Sequence, residues 1–223
     1  IMTDQHRAVC LGCMGHPVIQ TPNIDRLARN GIVFTNAFCQ SPACMASRAS
    51  LFTGRYPTSV RVRGMGILPP QETTFPEILR RNGYRTGAFG KVHLTPELYT
   101  RRQLKSEVPV LDWRRFAADA AVPPVPDDPF KDNYGFETHV GYEDCLHGNF
   151  RAWLGLKHPE LLEKKPERFS PDGPGDLWVS PFPSKFHPSS YTASEAEAYI
   201  LSRNETAPWF AFCSFVAPHH PFE

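Results

Sequence analysis

No run of about 18 consecutive apolar residues occurs in this 223-residue chain, so the sequence predicts no transmembrane helix. Charge of one sign is not in excess either, because 24 Lys and Arg stand against 23 Asp and Glu. The basic residues are scattered and form no run, which argues against nucleic acid as a partner. With 41% hydrophobic and 21% charged residues, the composition is that of an ordinary globular protein of one or two domains.

Cysteine is too sparse to build a small scaffold held by disulfides, since the chain has six. Cys10 and Cys13 form the pattern Cys-x-x-Cys, which can indicate redox or zinc chemistry. A zinc site requires four ligands, and no second pair stands at a suitable spacing, so we favour a structural role. The cysteines do not identify the redox compartment; the other four are Cys39, Cys44, Cys145 and Cys213.

The chain also lacks a recognisable beginning and end. Residues 1–4 read as the end of a strand without its start, and residues 221–223 come directly after an apolar strand and a His pair. We therefore interpret residues 1–223 as part of a longer chain. A signal peptide would lie outside this sequence, so the cellular location stays open, with a periplasmic or secreted one favoured.

Helix and strand signals alternate along the readable parts of the sequence. Helices are predicted where a cap or an early Pro precedes a periodic apolar face that ends at Gly, and strands where short apolar runs follow. This alternation is typical of an α/β domain with a largely parallel sheet. The predicted helices span residues 21–31, 45–53, 74–82 and 191–202, and the predicted strands span residues 32–38, 84–89 and 209–216.

A long segment between the predicted elements shows little periodicity. Residues from about 95 to 188 contain much of the Pro in the chain, which totals 23 residues. Pro cannot continue a helix or the middle of a sheet, so such a segment favours loops. We predict a loop-rich insertion with short elements there.

Polar side chains follow three separate predicted strands: Asp4, Lys91 and His219. In open α/β sheets, ligands bind at the carboxyl ends of the strands, so these groups could share one edge. Cys44 lies where a loop enters a helix, and Arg48 is one helical turn further on. A negative group at residue 44 would meet helix N–H groups and a cation. Taken alone, Cys44 could equally be a buried structural cysteine.

Residues 44–57 resemble the signature of the sulfatase family. Residues 44–48 read Cys-Met-Ala-Ser-Arg, with Ala46 where Pro is commoner, and residues 53–57 read Thr-Gly-Arg-Tyr-Pro. Other blocks follow in the order of the family. Residues 3–7 resemble its first metal strand, 15–28 its first helix, 31–38 the next strand, 90–94 its Gly-Lys-Trp-His motif and 218–222 its Pro-His-x-Pro motif.

The resemblance implies an alkaline phosphatase-like fold, a three-layer α/β/α sandwich around a mostly parallel sheet. It also implies that residues 1–223 are the N-terminal portion of the catalytic domain of the family, with the loop-rich insertion at about 95–188, so that the fold is incomplete in this chain. It also implies a sulfuric ester hydrolase of arylsulfatase type. Family members convert the signature Cys, here Cys44, to formylglycine, with a formylglycine-generating enzyme as the maturation partner. An oxygen of the hydrated aldehyde then attacks the sulfur of a sulfate ester, and sulfate leaves as the aldehyde forms again.

A divalent metal, most often Ca²⁺, is implied as well. The resemblance places Asp4, Gln5 and residue 44 around it, where the metal would polarise the sulfate oxygens. Gln5 stands where many relatives have a second Asp, and its amide oxygen can still coordinate. An isolated Asp4-Gln5 pair would otherwise be explained by a turn at the end of a strand.

The resemblance also assigns the remaining catalytic roles. Lys91 would bind a sulfate oxygen, and His93 would hydrogen-bond the formylglycine and help its collapse as a base. His219 would bind the ester oxygen and protonate the leaving group. Arg48 would supply the fixed cation beside residue 44. His220 falls on a variable position of its motif, and we assign it no role.

Two other functions stay open. A phosphonate or phosphate ester hydrolase of the same superfamily would use similar residues, because both transition states carry charge on nonbridging oxygens. A polypeptide that ended at Glu223 would lack the later metal pair of the family, and would be a non-catalytic fragment with weak metal binding. The leaving alcohol, whether part of a small molecule or of a carbohydrate, cannot be read from the sequence.

Overall fold

The computed structural model describes residues 1–64, 66–69, 71–95, 133–143, 148–162, 164–169, 177–203 and 206–220. The strands are β1 (Met2–Thr3), β2 (Arg85–Gly90), β3 (Thr138–Val140), β4 (Glu167–Arg168), β5 (Trp178–Val179) and β6 (Trp209–Phe215). The main sheet has four parallel strands in the order β1-β6-β2-β3. A separate antiparallel pair, β4-β5, lies outside that sheet.

Four of the five helices that the structure describes lie where the sequence signals predict them, although the one predicted at residues 191–202 begins earlier, at Pro188. The remaining helix, Asn149–Lys157, lies in the segment predicted as loop-rich. The helices are α1 (Pro22–Arg29), α2 (Cys44–Thr53), α3 (Phe75–Arg81), α4 (Asn149–Lys157) and α5 (Pro188–Leu201). Pro occupies the first turn of α1, α3 and α5, where its missing N–H costs no hydrogen bond. Gly54 ends α2 in the left-handed conformation that a residue without Cβ adopts most easily. Short 3₁₀ turns lie at Ala8–Cys10, Gly12–Met14, Pro159–Leu161 and Ser184–Phe186.

The main sheet is covered on both faces. Successive side chains of a strand point to opposite faces, and β2 shows this at Ala88 and Phe89. Ala88 packs into the core cluster that contains Met45 and Phe52 of α2. Phe89 packs against Tyr199 of α5 on the other side. A parallel sheet between two helical layers is the predicted α/β/α arrangement, which is confirmed.

The predicted strand at residues 32–38 is wrong. No strand forms there, and the apolar side chains of Ile32, Phe34 and Phe38 are exposed. The apolar face predicted for α1 is not buried either, since this helix contributes no buried residue. A strand needs a neighbour for its backbone hydrogen bonds, and within the described ranges no strand pairs with this run.

Part of the predicted loop-rich segment, residues 96–132, lies outside the described residues. Later parts of it do form regular structure. β3 joins the main sheet beside β2. Helix α4 packs through Phe150 and Leu154 into a second core cluster with Tyr142 and Tyr191. Within the residues that the structure describes, no helix is long and apolar enough to cross a membrane.

Candidate active site

Three strands deliver polar residues to one edge of the main sheet. Asp4 follows β1 directly, and its N–H donates to the carbonyl of Phe215 at 3.1 Å. Lys91 follows β2 directly, and its N–H donates to the carbonyl of Ser214 at 3.0 Å. His219 lies four residues beyond β6. The parallel register therefore places these three predicted residues at the carboxyl ends of neighbouring strands, where open α/β sheets bind ligands.

Lys91, Arg48 and Asp4 form one buried cluster of charges. The Nζ of Lys91 lies 2.6 Å from Oδ2 of Asp4, and Nη2 of Arg48 lies 3.4 Å from the same oxygen. Both cations are buried, with 0% and 1% of the side chain exposed. Buried charges persist only when they are paired and hydrogen-bonded, so these contacts hold the cluster together. The structure thus brings together three residues that are far apart in sequence.

The guanidinium of Arg48 has two further contacts. Its Nη1 donates to Oγ of Ser214 at 3.0 Å and also to the backbone carbonyl of Lys91. A planar group held by partners on three segments has little freedom to move. The sequence analysis did not single out Ser214, although a Ser inside the apolar run of β6 is a signal that could have found it.

The charge state of Asp4 follows from these contacts. Burial raises the pKa of its carboxyl group, but the hydrogen bond from Lys91 and the charges of Arg48, Lys91 and His219 lower it by more. The pKa of Asp4 therefore lies below the usual value, and the carboxylate is ionised at neutral pH. Because His219 contributes to this lowering of the Asp4 pKa, its imidazole lies close enough to Asp4 to interact with it electrostatically.

Cys44 is the first residue of α2. Backbone N–H groups at a helix N-terminus have no partner within the helix, and they favour negative charge on nearby groups. The side chain of Cys44 is half-buried and packs against the core cluster, and Arg48 lies one turn further along the same helix. The buried residues Ala46 and Ala49 fix α2 against the sheet. Residue 44 therefore has a fixed position relative to the charge cluster.

His93 is held in an unusual backbone conformation. Its φ is +52°, in the left-handed region that residues other than Gly rarely adopt. Its N–H donates to Oε1 of Glu143 at 3.1 Å, and its Nδ1 lies 3.9 Å from Oε2 of the same carboxylate. Glu143 follows β3, as Lys91 follows β2. The sequence analysis missed Glu143 because it predicted no strand at residues 138–140.

Gln5 contacts a histidine that the sequence analysis left without a role. The Oε1 of Gln5 accepts from the N–H of His220 at 3.2 Å and lies 2.9 Å from the Nδ1 of His220. Gln5 has φ +54°, so it shares the left-handed backbone of His93. Backbone strain of this kind costs about 1–3 kcal/mol and clusters at functional sites. His219 stacks on His220, and its Nδ1 lies 2.6 Å from the carbonyl oxygen of His220.

The predicted metal ligands have the right chemistry for a hard cation but are few. Asp4 and Gln5 offer carboxylate and amide oxygens, whereas Ca²⁺ takes about six to eight oxygen ligands. Within the described ranges, no group of three or more His, Cys, Asp or Glu residues could hold a metal ion. The Cys10–Cys13 pair likewise has no partners there for a zinc site. Asp4 and Gln5 thus fit part of an oxygen-ligated site.

The family model described as Sulfatase matches residues 1–223. This chain belongs to the sulfatase family. An arylsulfatase of Clostridium perfringens is 29% identical over 231 residues, which cover 100% of this chain and 43% of that protein. Steryl-sulfatase of Rattus norvegicus is 40% identical over 106 residues, which cover 42% of this chain and 18% of that protein. This chain therefore spans less than half the length of the relatives that it matches.

Solved structures support the family fold. The phosphonate monoester hydrolase of Agrobacterium radiobacter superposes with a TM-score of 0.67 at 26% identity, over 98% of this chain and 40% of that one. The fold is accordingly alkaline phosphatase-like, as predicted. In this sulfatase-family chain, the cluster of Asp4, Arg48 and Lys91 occupies the ligand-binding edge that parallel α/β sheets share.

Proposed function

We propose that this chain carries the nucleophile-bearing part of a site that hydrolyses sulfate esters. The observation that carries the proposal is the convergence of Lys91 and Arg48 on Asp4, with Arg48 on the helix that begins at Cys44. A sulfate ester keeps negative charge on its oxygens through the transition state, and fixed cations at a helix N-terminus stabilise such charge. Membership of the sulfatase family supports the same reaction class.

Cys44 is the proposed precursor of the nucleophile. Formylglycine at this position would supply an oxygen nucleophile that releases sulfate by elimination, which an ordinary thiol cannot do. The fold of this chain would set the position of the formylglycine and the charges around it. The N-terminus of α2 stabilises negative charge at residue 44, and Arg48 holds a cation one turn away.

The roles proposed for the other side chains combine the resemblance to the family motifs with the positions of these residues at the sheet edge. Lys91 and Arg48 are rigidly held cations, so they would bind and orient the sulfate oxygens without reorganising during the reaction. His93 would take a proton from the group at residue 44. His219, on the flank of the cluster, would hold the ester oxygen and give a proton to the departing alcohol.

A divalent cation, most often Ca²⁺ in this family, would be held by Asp4, Gln5 and the oxygen of a converted residue 44. Its chemistry there would be to polarise the sulfate oxygens. Asp4 is ionised, which suits a hard cation, and its Oδ2 is shared with Lys91 and Arg48. Because Ca²⁺ takes about six to eight oxygen ligands, these three residues would form only part of its coordination shell.

Mass spectrometry of the tryptic peptide 30–48 tests the nucleophile. This peptide contains Cys39 and Cys44, so Cys39 is an internal control for an exposed thiol that stays a thiol. We expect alkylation at Cys39 and an aldehyde at residue 44 in active protein. Expression together with a formylglycine-generating enzyme should increase the aldehyde fraction and the turnover in parallel. Full activity with a thiol at residue 44 would reject the mechanism.

A phosphonate or phosphate ester is the second candidate substrate. The observation that favours it is the similarity to the phosphonate monoester hydrolase, which superposes over 98% of this chain. Both substrate classes place negative oxygens against the same cations. The ratio of kcat/KM on a nitrophenyl sulfate and on a nitrophenyl phosphonate monoester decides between them. A preference for the phosphonate would overturn the sulfatase assignment.

The leaving group is proposed as the alcohol of a small molecule or of a carbohydrate. Loops build the substrate pockets of such folds, and the loop-rich segment of this chain lies partly outside the described residues. A panel of aryl, alkyl and sugar sulfates, assayed with the full-length enzyme, would rank these classes. Similar kcat/KM values for all three classes would show that the enzyme recognises the sulfate group and does not discriminate between leaving alcohols.

A further inference from the structure

We propose that Glu143 is a positioning residue for His93: it fixes the backbone of His93 and selects the proton position on its imidazole. This inference rests on the role proposed for His93 in ester hydrolysis. The carboxylate of Glu143 reaches His93 twice, through Oε1 to the backbone N–H and through Oε2 towards Nδ1. Each side chain has 6% of its surface exposed, so both contacts lie away from bulk water.

The fold explains how two residues 50 positions apart in sequence meet. β2 and β3 are parallel neighbours, with Phe89 paired to Val140. The chain leaves both strands at the same edge of the sheet, so His93 and Glu143 emerge side by side, each three residues after its strand. Asn149 anchors the segment that follows β3. Its Oδ1 accepts a hydrogen bond from the N–H of Gly141 at 3.0 Å, and its own N–H donates to the carbonyl of Gly141. Glu143 therefore stands on a well-anchored segment.

The first contact stabilises a strained backbone. His93 has φ +52°, which costs a residue with Cβ about 1–2 kcal/mol. A hydrogen bond from an N–H to an ionised carboxylate is stronger than one to a neutral acceptor, and it holds the N–H in this orientation. Leu94 is anchored just beyond, because its carbonyl accepts from the N–H of Leu68 at 2.9 Å and from the Tyr134 hydroxyl at 3.2 Å. The direction of the His93 side chain is thus fixed from both sides.

The second contact acts on the imidazole. A carboxylate beside Nδ1 favours the tautomer with its proton on Nδ1, which leaves Nε2 as the basic nitrogen. The distance of 3.9 Å is that of an ion pair, and a small rotation of the ring would close it to a hydrogen bond. The carboxylate would also stabilise the imidazolium that forms when His93 takes a proton. Glu143 would accordingly act on the rate of proton transfer and leave substrate binding unchanged.

Glu143→Gln separates the two contacts. Gln keeps an oxygen that can accept from the His93 N–H, but it replaces the carboxylate beside Nδ1 with a neutral amide. Partners that orient a functional His typically contribute 10- to 100-fold, so we expect kcat on a nitrophenyl sulfate to fall by about that factor. KM should change by less than about threefold, because Glu143 is proposed to act through His93 and not on the substrate. Glu143→Asp, which keeps the charge on a shorter side chain, should recover part of the lost kcat.

Glu160→Gln is the matched control. Glu160 also pairs with a histidine, with its Oε1 3.4 Å from the Nδ1 of His158, but it lies on the surface. The same chemical change there should leave kcat, KM and melting temperature unaltered. A fall in kcat for Glu143→Gln that only followed a loss of folded protein would show up as a lower melting temperature. Unchanged kcat in a stably folded Glu143→Gln protein would overturn the proposal.

The tautomer of His93 can be measured without turnover, so the proposal for Glu143 can be tested separately from the proposed sulfatase reaction. Long-range ¹H–¹⁵N NMR spectra of the full-length protein report which ring nitrogen of each His carries the proton, and His93→Gln identifies the His93 signal. We expect the Nδ1–H tautomer in the original protein and in Glu143→Asp, and a shift towards Nε2–H in Glu143→Gln. An Nε2–H tautomer in the original protein would reject the proposal. Absence of sulfatase turnover with the expected tautomers would reject the proposed function alone.

Discussion

The Nζ of Lys91 lies 2.6 Å from Oδ2 of Asp4, and this contact joins the residues that follow β1 and β2. The strand between them is β6, so the pair spans three strands at the carboxyl edge of the sheet. Arg48 reaches the same oxygen from the helical layer. A single carboxylate therefore ties the strand edge to the helix that begins at Cys44.

Lys91→Met should abolish most activity and reduce stability. The variant keeps much of the apolar stem but removes the charge, so Asp4 loses its nearest cation. Loss of one donor to a developing negative charge costs about 10²- to 10³-fold in kcat. Breaking a buried ion pair costs about 3–5 kcal/mol of unfolding free energy. Nitrophenyl sulfate turnover and urea unfolding would measure the two effects.

The double variant Lys91→Met/Asp4→Asn is the internal control for that experiment. When Lys91 and Asp4 are both neutral, neither is left as a charge without the other, so the double variant should be more stable than the sum of the single changes implies. The buried Arg48 loses the same carboxylate in Asp4→Asn and in the double variant, so this loss cancels in the comparison. Activity should stay low, since both charges belong to the proposed site. Strictly additive stabilities would show that the contact between Lys91 and Asp4 contributes no coupling energy.

Asp4 should make stability depend on pH in the acid range. The pKa of its carboxyl group is lower in the folded protein than its ordinary value of 3.8. The unfolded chain therefore takes up this proton first as the pH falls, and the stabilisation is lost as the pH falls through 3.8 to the folded pKa. In chelator-treated protein, the stability difference between the original chain and Asp4→Asn should be full near pH 6 and shrink below about pH 4. A stability difference that increased as the pH fell would show that the pKa of Asp4 is raised on folding and not lowered.

Local signals predicted the elements that local residues control. α2 was predicted at residues 45–53 and lies at Cys44–Thr53, because Gly54 supplies its left-handed end. β6 was predicted at residues 209–216 and lies at Trp209–Phe215, because both its faces pack in cores. The run at residues 32–38 has a similar apolar character but no pairing strand within the described parts of the chain. Pairing depends on distant residues, which a local pattern does not contain.

The site divides in the same way. The placement of Asp4, Lys91 and His219 at one sheet edge could be predicted because each follows a strand signal. The roles that the family motifs assign to Cys44, Arg48 and His93 stay predictions. The sequence could not predict that Arg48 donates to Ser214, 166 residues away, since only the folded sheet brings them together. Glu143 was missed for a related reason: the three residues of β3 have too short a pattern to predict a strand.

Cys44→Ala should remove turnover while the fold persists. The side chain is half-buried at the first position of α2, and Ala is a good helix former, so the melting temperature should change little. Removal of a covalent nucleophile costs on the order of 10⁶-fold in kcat. Cys39→Ala, at an exposed cysteine, should retain full activity. Substantial turnover by Cys44→Ala would place the nucleophile elsewhere.

Gly90→Ala tests the turn that aims Lys91 and His93. Gly90 has φ +86°, and a Cβ at this position would lie 2.0 Å from the carbonyl oxygen of Ser214. Backbone strain and the clash together should cost about 2–5 kcal/mol. The added Cβ should also displace Lys91, and kcat should fall as a result. Chemical denaturation and nitrophenyl sulfate assays on the same preparations would show both effects.

Gly83→Ala is the control for backbone strain alone. Gly83 has φ +84°, but a Cβ there would meet no atom within 4 Å. The expected cost is about 1–2 kcal/mol, with kcat unchanged. Equal destabilisation and equal activity in the two Ala variants would mean that the close approach of Gly90 to Ser214 has no part in positioning the site.

Gln5→Asp should strengthen binding of Ca²⁺ to the full-length protein. An Asp at this position adds a carboxylate beside Asp4, and Ca²⁺ affinity rises with the charge of its ligands, here by roughly tenfold. Gln20→Asp changes the net charge equally at an exposed position, so it isolates the effect of location. Calorimetric titration should show tighter binding for Gln5→Asp alone; equal affinities in both variants would remove Gln5 from the metal site.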